Sequence, residues 1–292
     1  MIRLSIKTRN EGRTWDELRS AWRSADRHER IDAAWLYDHF IPPFGQPSDP
    51  CLEAWTTLAA LAVSTKRVRI GVMVTGATYR HPAVLAKMAA TVDILSRGRL
   101  TLGLGAAWDT REHGAYGITL PAGPERFERL EETCEVLDAM LTRSPANFRG
   151  NQFELNEAWC EPPPLQSPRP PFMIGGGGES RTLPIVAKWA DMWNLPSGSV
   201  EDFEHKLGVL RRHLLDSGRE VCSVEPSVQV DIGQDVPAFI DEAALYVRAG
   251  ANHVVANFLG PVDDALLGRL ADEFALRFDY QPGDDPNGKA CS

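Results

Sequence analysis

Short apolar runs alternate with amphipathic stretches along almost the whole chain. RLSIK (3–7), AAWLYDHF (33–40), VRIGVMVTG (68–76) and RLTLGLG (99–105) read as the first four strands. FMIG (172–175), ADMWN (190–194), PSVQVDI (226–232) and NHVVANFLG (252–260) supply four more. A helical pattern follows each strand. The first, TWDELRSAWRSADR, opens with Thr14 and Glu17 at the spacing of a capping box. Pro82 and Pro124 suit the opening turns of two later helices. Eight strand-then-helix units without a linker predict an α/β fold, a single-domain TIM (β/α)8 barrel over residues 1–277.

One segment breaks the rhythm. Residues 144–171 are rich in proline and too long for a plain connector, so they predict an insertion between strands 4 and 5 with a small hairpin. Residues 278–292 are mostly polar and predict a disordered tail. In such a barrel the chemistry belongs at the carboxyl ends of the strands. That places Asp38 and His39, Thr75 to His81, Ala106 to Tyr116, Gly175 to Gly178 and Asn194 on one rim.

The chain has 292 residues, 43% hydrophobic, enough for one barrel. A net charge of -9 argues against a general nucleic-acid binder. No apolar run is long enough to span a membrane, and the first residues lack a basic segment leading into an apolar one, so a cytoplasmic location is expected. Cys51, Cys134, Cys160, Cys222 and Cys291 are odd in number and form no CxxC pair, which predicts free thiols. No HExxH motif or carboxylate-rich cluster appears, and no catalytic metal is expected.

The glycines are the strongest local signal. Each costs roughly 0.5–1 kcal/mol relative to alanine in regular structure, so Gly175, Gly176, Gly177 and Gly178 together forfeit roughly 2–4 kcal/mol. A strand leading through glycines into a helix exposes backbone N–H groups to an anion, and a phosphate-binding loop is the favoured reading. Arg181 would add charge in the first turn. A loose turn, or close packing of helix against strand, is the plainer alternative. GLGAAW (103–108) lacks the third glycine of a dinucleotide fingerprint, because Trp108 stands there. Gly105 and Ala106 would instead either keep side chains away from a flat ligand or, as small residues, pack the mouth of the barrel.

Asp38 and His39 are adjacent, and consecutive strand residues face opposite sides, so only one would point into the barrel. His39 is expected near the reacting centre, with Asp38 fixing the local geometry or touching the ligand. A histidine satisfied by a backbone carbonyl is the competing reading. Glu112 and His113 are further acid–base candidates, although a solvated loop would explain them too.

Several separated stretches, VTGATYRHPAVLAKMAATVDILSRGRLTLGLGAAW, EHGAYGI, GPERFERLEE and IGGGGESRTLPIVAKWADMWN, resemble the luciferase-like flavin/deazaflavin superfamily. The resemblance is closest to its coenzyme F420-dependent oxidoreductases. It implies a barrel with the deazaflavin across its rim, and Asp38 and His39 beside the ring. Met73 and Val74 match the site of a non-proline cis peptide that bulges against the ring in relatives. Gly76, Gly105 and Ala106 match positions near the cofactor, and Gly175 to Gly178 match its phosphate loop.

Departures limit what carries over. Trp108 stands where the sugar-phosphate dehydrogenases of the superfamily have a proton-transferring glutamate, so the resemblance argues against sugar-phosphate oxidation. Gly76 replaces a hydroxyl residue. The implied reaction is hydride transfer between deazaflavin C5 and an activated C=C or C=N bond of a small organic substrate. His39, or a residue of the 108–113 loop such as Trp108, Glu112 or His113, would serve catalysis, and Trp108 and Trp193 would line an apolar pocket. Arg80, Arg111 and Arg181 are candidates for the acidic cofactor tail. Two alternatives remain open: an FMN-dependent two-component monooxygenase on the same fold, and a noncatalytic flavin- or deazaflavin-binding protein. Homodimers are common among relatives, so a homodimer is possible here.

Overall fold

The computed structural model describes residues 1–279. Its main sheet contains β1 (Arg3–Thr8), β2 (Ile31–Leu36), β3 (Arg69–Val72), β4 (Thr75–Gly76), β5 (Leu100–Gly105), β8 (Phe172–Gly175), β9 (Met192–Leu195), β10 (Glu225–Ile232) and β11 (His253–Phe258). All pair in parallel in the order β3-β2-β1-β11-β10-β9-β8-β5, and β3 pairs again with β5. The barrel therefore closes with eight staves. β4 continues the third stave beyond the Met73–Val74 peptide and pairs with β5.

Helices α1 (Trp15–Arg27), α2 (Ala54–Ser64), α3 (Pro82–Ser96), α5 (Gly123–Thr142), α6 (Thr182–Trp189), α7 (Val200–Asp216), α8 (Val236–Arg248) and α9 (Asp264–Phe278) surround it. Alternate strand residues serve two different interiors. Leu4 and Ile6 of β1 join the large core beneath the helices, whereas Ala33, Trp35, Met173, Met192 and Val255 form a small apolar cluster of their own with Met73. Fully buried indoles find hydroxyl partners on the staves: Trp22 Nε1 donates to Thr8 Oγ1 at 2.8 Å and Trp55 Nε1 to Thr75 Oγ1 at 2.9 Å. Such pairings avoid the cost of burying an unpaired donor. The capping box at Thr14 and Glu17 forms as its spacing predicts.

The excursion contains the antiparallel hairpin β6 (Ala146–Arg149) and β7 (Glu154–Ala158). Glu132 on α5 accepts from the amides of Asn151, Gln152 and Phe153, and Asp93 on α3 accepts from those of Leu165 and Gln166. Gln166 also donates to the Leu100 carbonyl at the start of β5. The later part of the excursion thus lies at the amino ends of the strands, away from the rim that carries the chemistry.

Four local expectations change. β2 ends at Leu36, so Asp38 and His39 lie beyond the strand and its alternation does not constrain them. The third strand is divided at Met73–Val74. A short helix, α4 (Thr110–Tyr116), replaces the expected polar loop. α9 runs through Phe278, one residue past the expected boundary; residues 280–292 of the tail, including Cys291, lie outside the described residues. Cys51, Cys134 and Cys160 are free thiols. No helix among the described residues is long and apolar enough to cross a membrane.

Candidate active site

A cavity of about 590 Å³ opens at the carboxyl ends of the staves. Asp38, His39, Met73, Val74, Gly76, Gly105, Ala106, Trp108, Gly175 and Gly176 line it. Glu112, His113, Gly177, Gly178, Arg181 and Trp193 do not. Most of the expected rim residues are brought together, and those outside have identifiable local roles.

Glu112 is fully buried behind His39. Its position follows from α4, where Asp109 caps the helix by accepting from the amides of Arg111 and Glu112. One Glu112 oxygen lies 2.9 Å from His39 Nδ1 and also accepts from the Tyr79 hydroxyl; the other accepts from the amides of Phe40 and Ile41. Burial alone would favour the neutral acid, but these donors, led by His39 and Tyr79, outweigh it and hold the carboxyl at about 2. An ionised carboxylate can only accept, so Nδ1 of His39 carries a proton and Nε2 is left toward the cavity. Nε2 has no hydrogen-bond partner among the described residues. His39 also meets Trp108 edge-on at 5.6 Å, and Trp108 stacks with Phe44 at the mouth.

His113 corrects the sequence reading. Its Nε2 lies 2.7 Å from Thr78 Oγ1 and its Nδ1 2.6 Å from the Asp109 carbonyl, so both nitrogens are engaged and the ring is buried. It braces α4 rather than facing a ligand. Trp193 also departs from expectation: it packs outside the barrel against Phe203 and donates to the Gly176 carbonyl at 2.8 Å. Asp38 accepts two bonds from Arg80, at 2.6 and 3.1 Å, and Arg80 also reaches Glu53. With both carboxylates opposing it, Arg80 ties the segment after β2 to the segment after β3. Arg111 donates to the carbonyls of Pro42 and Gly45, holding the loop that carries Phe44. Arg181 is exposed at the start of α6 and away from the cavity.

The glycines have internal reasons that sequence energetics alone did not separate from ligand binding. The Met73–Val74 peptide is cis, and the Val74 side chain fills space that three glycines leave open. A Cβ on Gly105 would lie 2.6 Å from Val74 Cγ2, one on Gly175 3.0 Å from Cγ1, and one on Gly103 3.3 Å from Cγ1 and only 2.0 Å from the Val72 carbonyl oxygen. Gly176 has φ +127°, a conformation that L side chains rarely adopt. A Cβ on Gly177 would meet Leu195 and Lys206, and one on Gly178 would meet Thr182. Packing and backbone conformation therefore constrain each position of the run, as a close-packed turn requires, without deciding whether its amides also meet a ligand. The amides of Gly177 and Gly178 nevertheless donate to no acceptor among the described residues, at the amino end of α6.

Sequence reasoning missed a second wall. Lys7 on β1, Gln229 and Asp231 on β10 and Asn257 on β11 line the same cavity, beside Asn194 on β9, which the sequence had placed on the rim. In a closed barrel both faces of every stave are covered, so a polar residue alternating with core residues points into the lumen. LSIK and SVQVD carry that signal. His39, Asp109 and Glu112 also place potential metal-ligand atoms within 4.8 Å of one another. Glu112 already receives four donors, and Asp109 caps α4, so the donor set is occupied by protein hydrogen bonds.

A closed parallel barrel with a ligand-sized cavity and a carboxylate-held histidine at its carboxyl rim has the architecture of a TIM-barrel enzyme. The family profile described as luciferase-like monooxygenase matches residues 2–285. The chain belongs to that family. It is 37% identical over 162 residues to an F420-dependent glucose-6-phosphate dehydrogenase of Amycolatopsis mediterranei, covering 55% of this chain and 46% of the relative. A protein of the same name from Kineococcus radiotolerans is 31% identical over 256 residues, covering 84% and 72%. The chain thus spans under half the length of the first relative and nearly three quarters of the second.

Solved structures agree in fold. An F420-dependent secondary alcohol dehydrogenase in complex with an F420-acetone adduct superposes with a TM-score of 0.83 at 17% identity, covering 93% of this chain and 97% of the other. The monooxygenase RslO1 from Streptomyces bottropensis gives 0.79 at 16%, covering 95% and 98%. The chain thus shares the luciferase-like fold and family, and its sequence relatives include proteins named as F420-dependent.

Proposed function

We propose that this protein is an F420-dependent oxidoreductase acting on a polarised double bond of a small organic substrate. The observation that carries the reading is the His39–Glu112 pair, with Nε2 facing a cavity bounded by Val74 and its glycines. The names of the sequence relatives, dehydrogenases of a sugar phosphate, support F420 and extend the expected bonds from C=C and C=N to C=O. Trp108 and the position of Glu112 speak against a sugar phosphate itself. Glu112 lies four residues after Trp108 but faces away from the cavity, so it does not restore a carboxylate there.

The residues present fit the cofactor. Val74, Gly76, Gly105 and Ala106 offer a wall poor in bulky side chains for a flat ring, and Asp38 would contact it at the rim. The free amides of Gly177 and Gly178 would receive a phosphate, by direct hydrogen bonds more than by the helix dipole, which contributes about 0.3–1 kcal/mol. When bound, F420 supplies or accepts a hydride.

The chain's own residues manage the proton. Glu112 fixes the ring of His39 and stabilises its charge if Nε2 takes up a proton; Nε2 is the atom that exchanges it with the substrate. Trp108 lies edge-on to the His39 ring, and Phe44 stacks on Trp108 at the cavity mouth. A positioned acid–base group of this kind contributes about 10²–10⁴-fold to rate.

The test is anaerobic incubation with reduced F420 and a library of ketones, enones, nitroalkenes and imines, read as reoxidation of the deazaflavin. Turnover with at least one class is expected. Oxygen consumption with reduced FMN, alongside no reoxidation of F420, would move the protein to the two-component monooxygenases. Stoichiometric binding without turnover of either cofactor would make it a binding protein.

A further inference from the structure

The polar wall of the cavity contains a chain of hydrogen bonds whose direction is set by its first member. An ammonium group has only N–H bonds to offer. Lys7 Nζ donates to Gln229 Oε1 at 2.8 Å, which turns the amide so that Gln229 Nε2 donates to Asn194 Oδ1 at 2.7 Å. Asn194 Nδ2 then donates to Ser227 Oγ at 3.0 Å, and Ser227 donates to the Trp193 carbonyl at 2.8 Å. The donors run one way, from an ammonium to a backbone carbonyl. Reversing the chain would require Lys7 to give up its proton.

The head of the chain is not fully used. Lys7 makes no second hydrogen bond among the described residues, leaving two N–H bonds without an acceptor, and its side chain lines the cavity. Lys7 is partly buried, so these donors can be met by water until a ligand that displaces the water takes them instead. The charges around it balance. Arg9 pairs with Glu11 at 2.8 Å, and Asp231, which accepts from Asn257 Nδ2 at 2.6 Å, faces Lys7. Two formal positive charges and two negative ones leave a directed donor without a net positive field. That arrangement suits a neutral oxygen acceptor better than an anion.

We propose that Lys7 is the recognition point for a carbonyl oxygen of the substrate, held in place by the Gln229–Asn194–Ser227 chain. This rests on the reading of the cavity as an oxidoreductase site and narrows its substrate class to neutral carbonyl compounds such as ketones and enones. His39 and Lys7 then divide the work: one exchanges a proton, the other holds the oxygen.

The test uses carbonyl-¹³C cyclohexanone and its oxygen-free analogue methylenecyclohexane as probes, each titrated into the full chain with and without oxidised F420. Wild-type protein is expected to shift the bound carbonyl resonance downfield and to favour the ketone by about tenfold or more, the range for a hydrogen bond to a charged group. Lys7→Met should abolish both effects, and Gln229→Leu should reduce the preference several-fold while F420 affinity changes little.

A pH series on the wild type keeps the proposal testable if Lys7→Met fails to fold. Burial first, and then Arg9, lower Lys7 to about 8, so the preference should be present below that value and disappear as pH rises through it. Arg9, Glu11 and Asp231 are the charged groups around it, and burial raises the Tyr37 phenol further from that range. Asp38 and His39 line the same cavity, and a His39→Gln background should retain the midpoint. Ketone preference that survives Lys7→Met, or is absent from the wild type both with and without F420, overturns the proposal. A Lys7-dependent preference in a protein that fails to bind F420 sustains it and overturns the cofactor reading instead.

Discussion

Two of the histidine–carboxylate pairs among the described residues are made through Nδ1 of the ring. His39 Nδ1 is 2.9 Å from Glu112, and His253 Nδ1 is 3.0 Å from Glu225. The residue types and spacing are nearly the same; the second nitrogens differ. His253 Nε2 lies 2.8 Å from Ser5 Oγ, its ring is fully buried, and Arg3 pairs with Glu225 from the other side. His39 Nε2 faces a cavity. A fully buried ring set between Glu225 and Ser5 supports the fold, whereas an unspent nitrogen on a ring that lines an opening is available for proton transfer.

The comparison breaks most sharply at the histidines themselves. His39→Ala should reduce turnover by about 10²–10⁴-fold with little change in F420 affinity, as measured by stopped-flow reoxidation beside a binding titration. Glu112→Gln comes next, with an expected loss of about 10–10²-fold, because the amide can still occupy the site but no longer stabilises a charged His39. The opposite pattern is expected of His253→Gln. It should cost about 1–3 kcal/mol in denaturant unfolding by leaving Glu225 less well satisfied, while turnover per folded molecule stays at the wild-type value.

The smallest effect is on acid stability. Glu112 is lowered from 4.5 to about 2, so the folded state favours its carboxylate. The stabilisation it supplies is fully present above about pH 4.5 and is lost as pH falls toward 2. Thermal melts of the wild type and Glu112→Gln should therefore differ most at neutral pH and converge across that interval. Melting curves that stay equally far apart down to pH 2 would remove Glu112 as the titrating group.

Much of the barrel was legible because each stave carries a short apolar run and each main helix a cap or an apolar face. Thr14 with Glu17 is one example, and Pro82 at the start of α3 is another. The short helix α4 was not legible, since TREHGAY has little apolar periodicity; Asp109 before it was the available N-cap signal. The division of the third stave at Met73–Val74 had no signal in composition or period, only in family resemblance. Lys7 was overlooked for a topological reason. Its alternation with Ile6 resembles that of a half-exposed strand, and only closure of the barrel turns that polar face into a lumen. His39 and His113 were both plausible from residue type, and only the atoms around their nitrogens separated them.

The most direct test of the central claim is equilibrium titration of the cofactor-free protein with F420 and, separately, with FMN, followed by ring absorbance and fluorescence. F420 should saturate one site per chain, bind more tightly than FMN, and lose affinity in Gly105→Leu, whose side chain would invade the wall beside Val74. Tight FMN binding with no saturable F420 signal, or F420 binding indifferent to that substitution, would contradict the account.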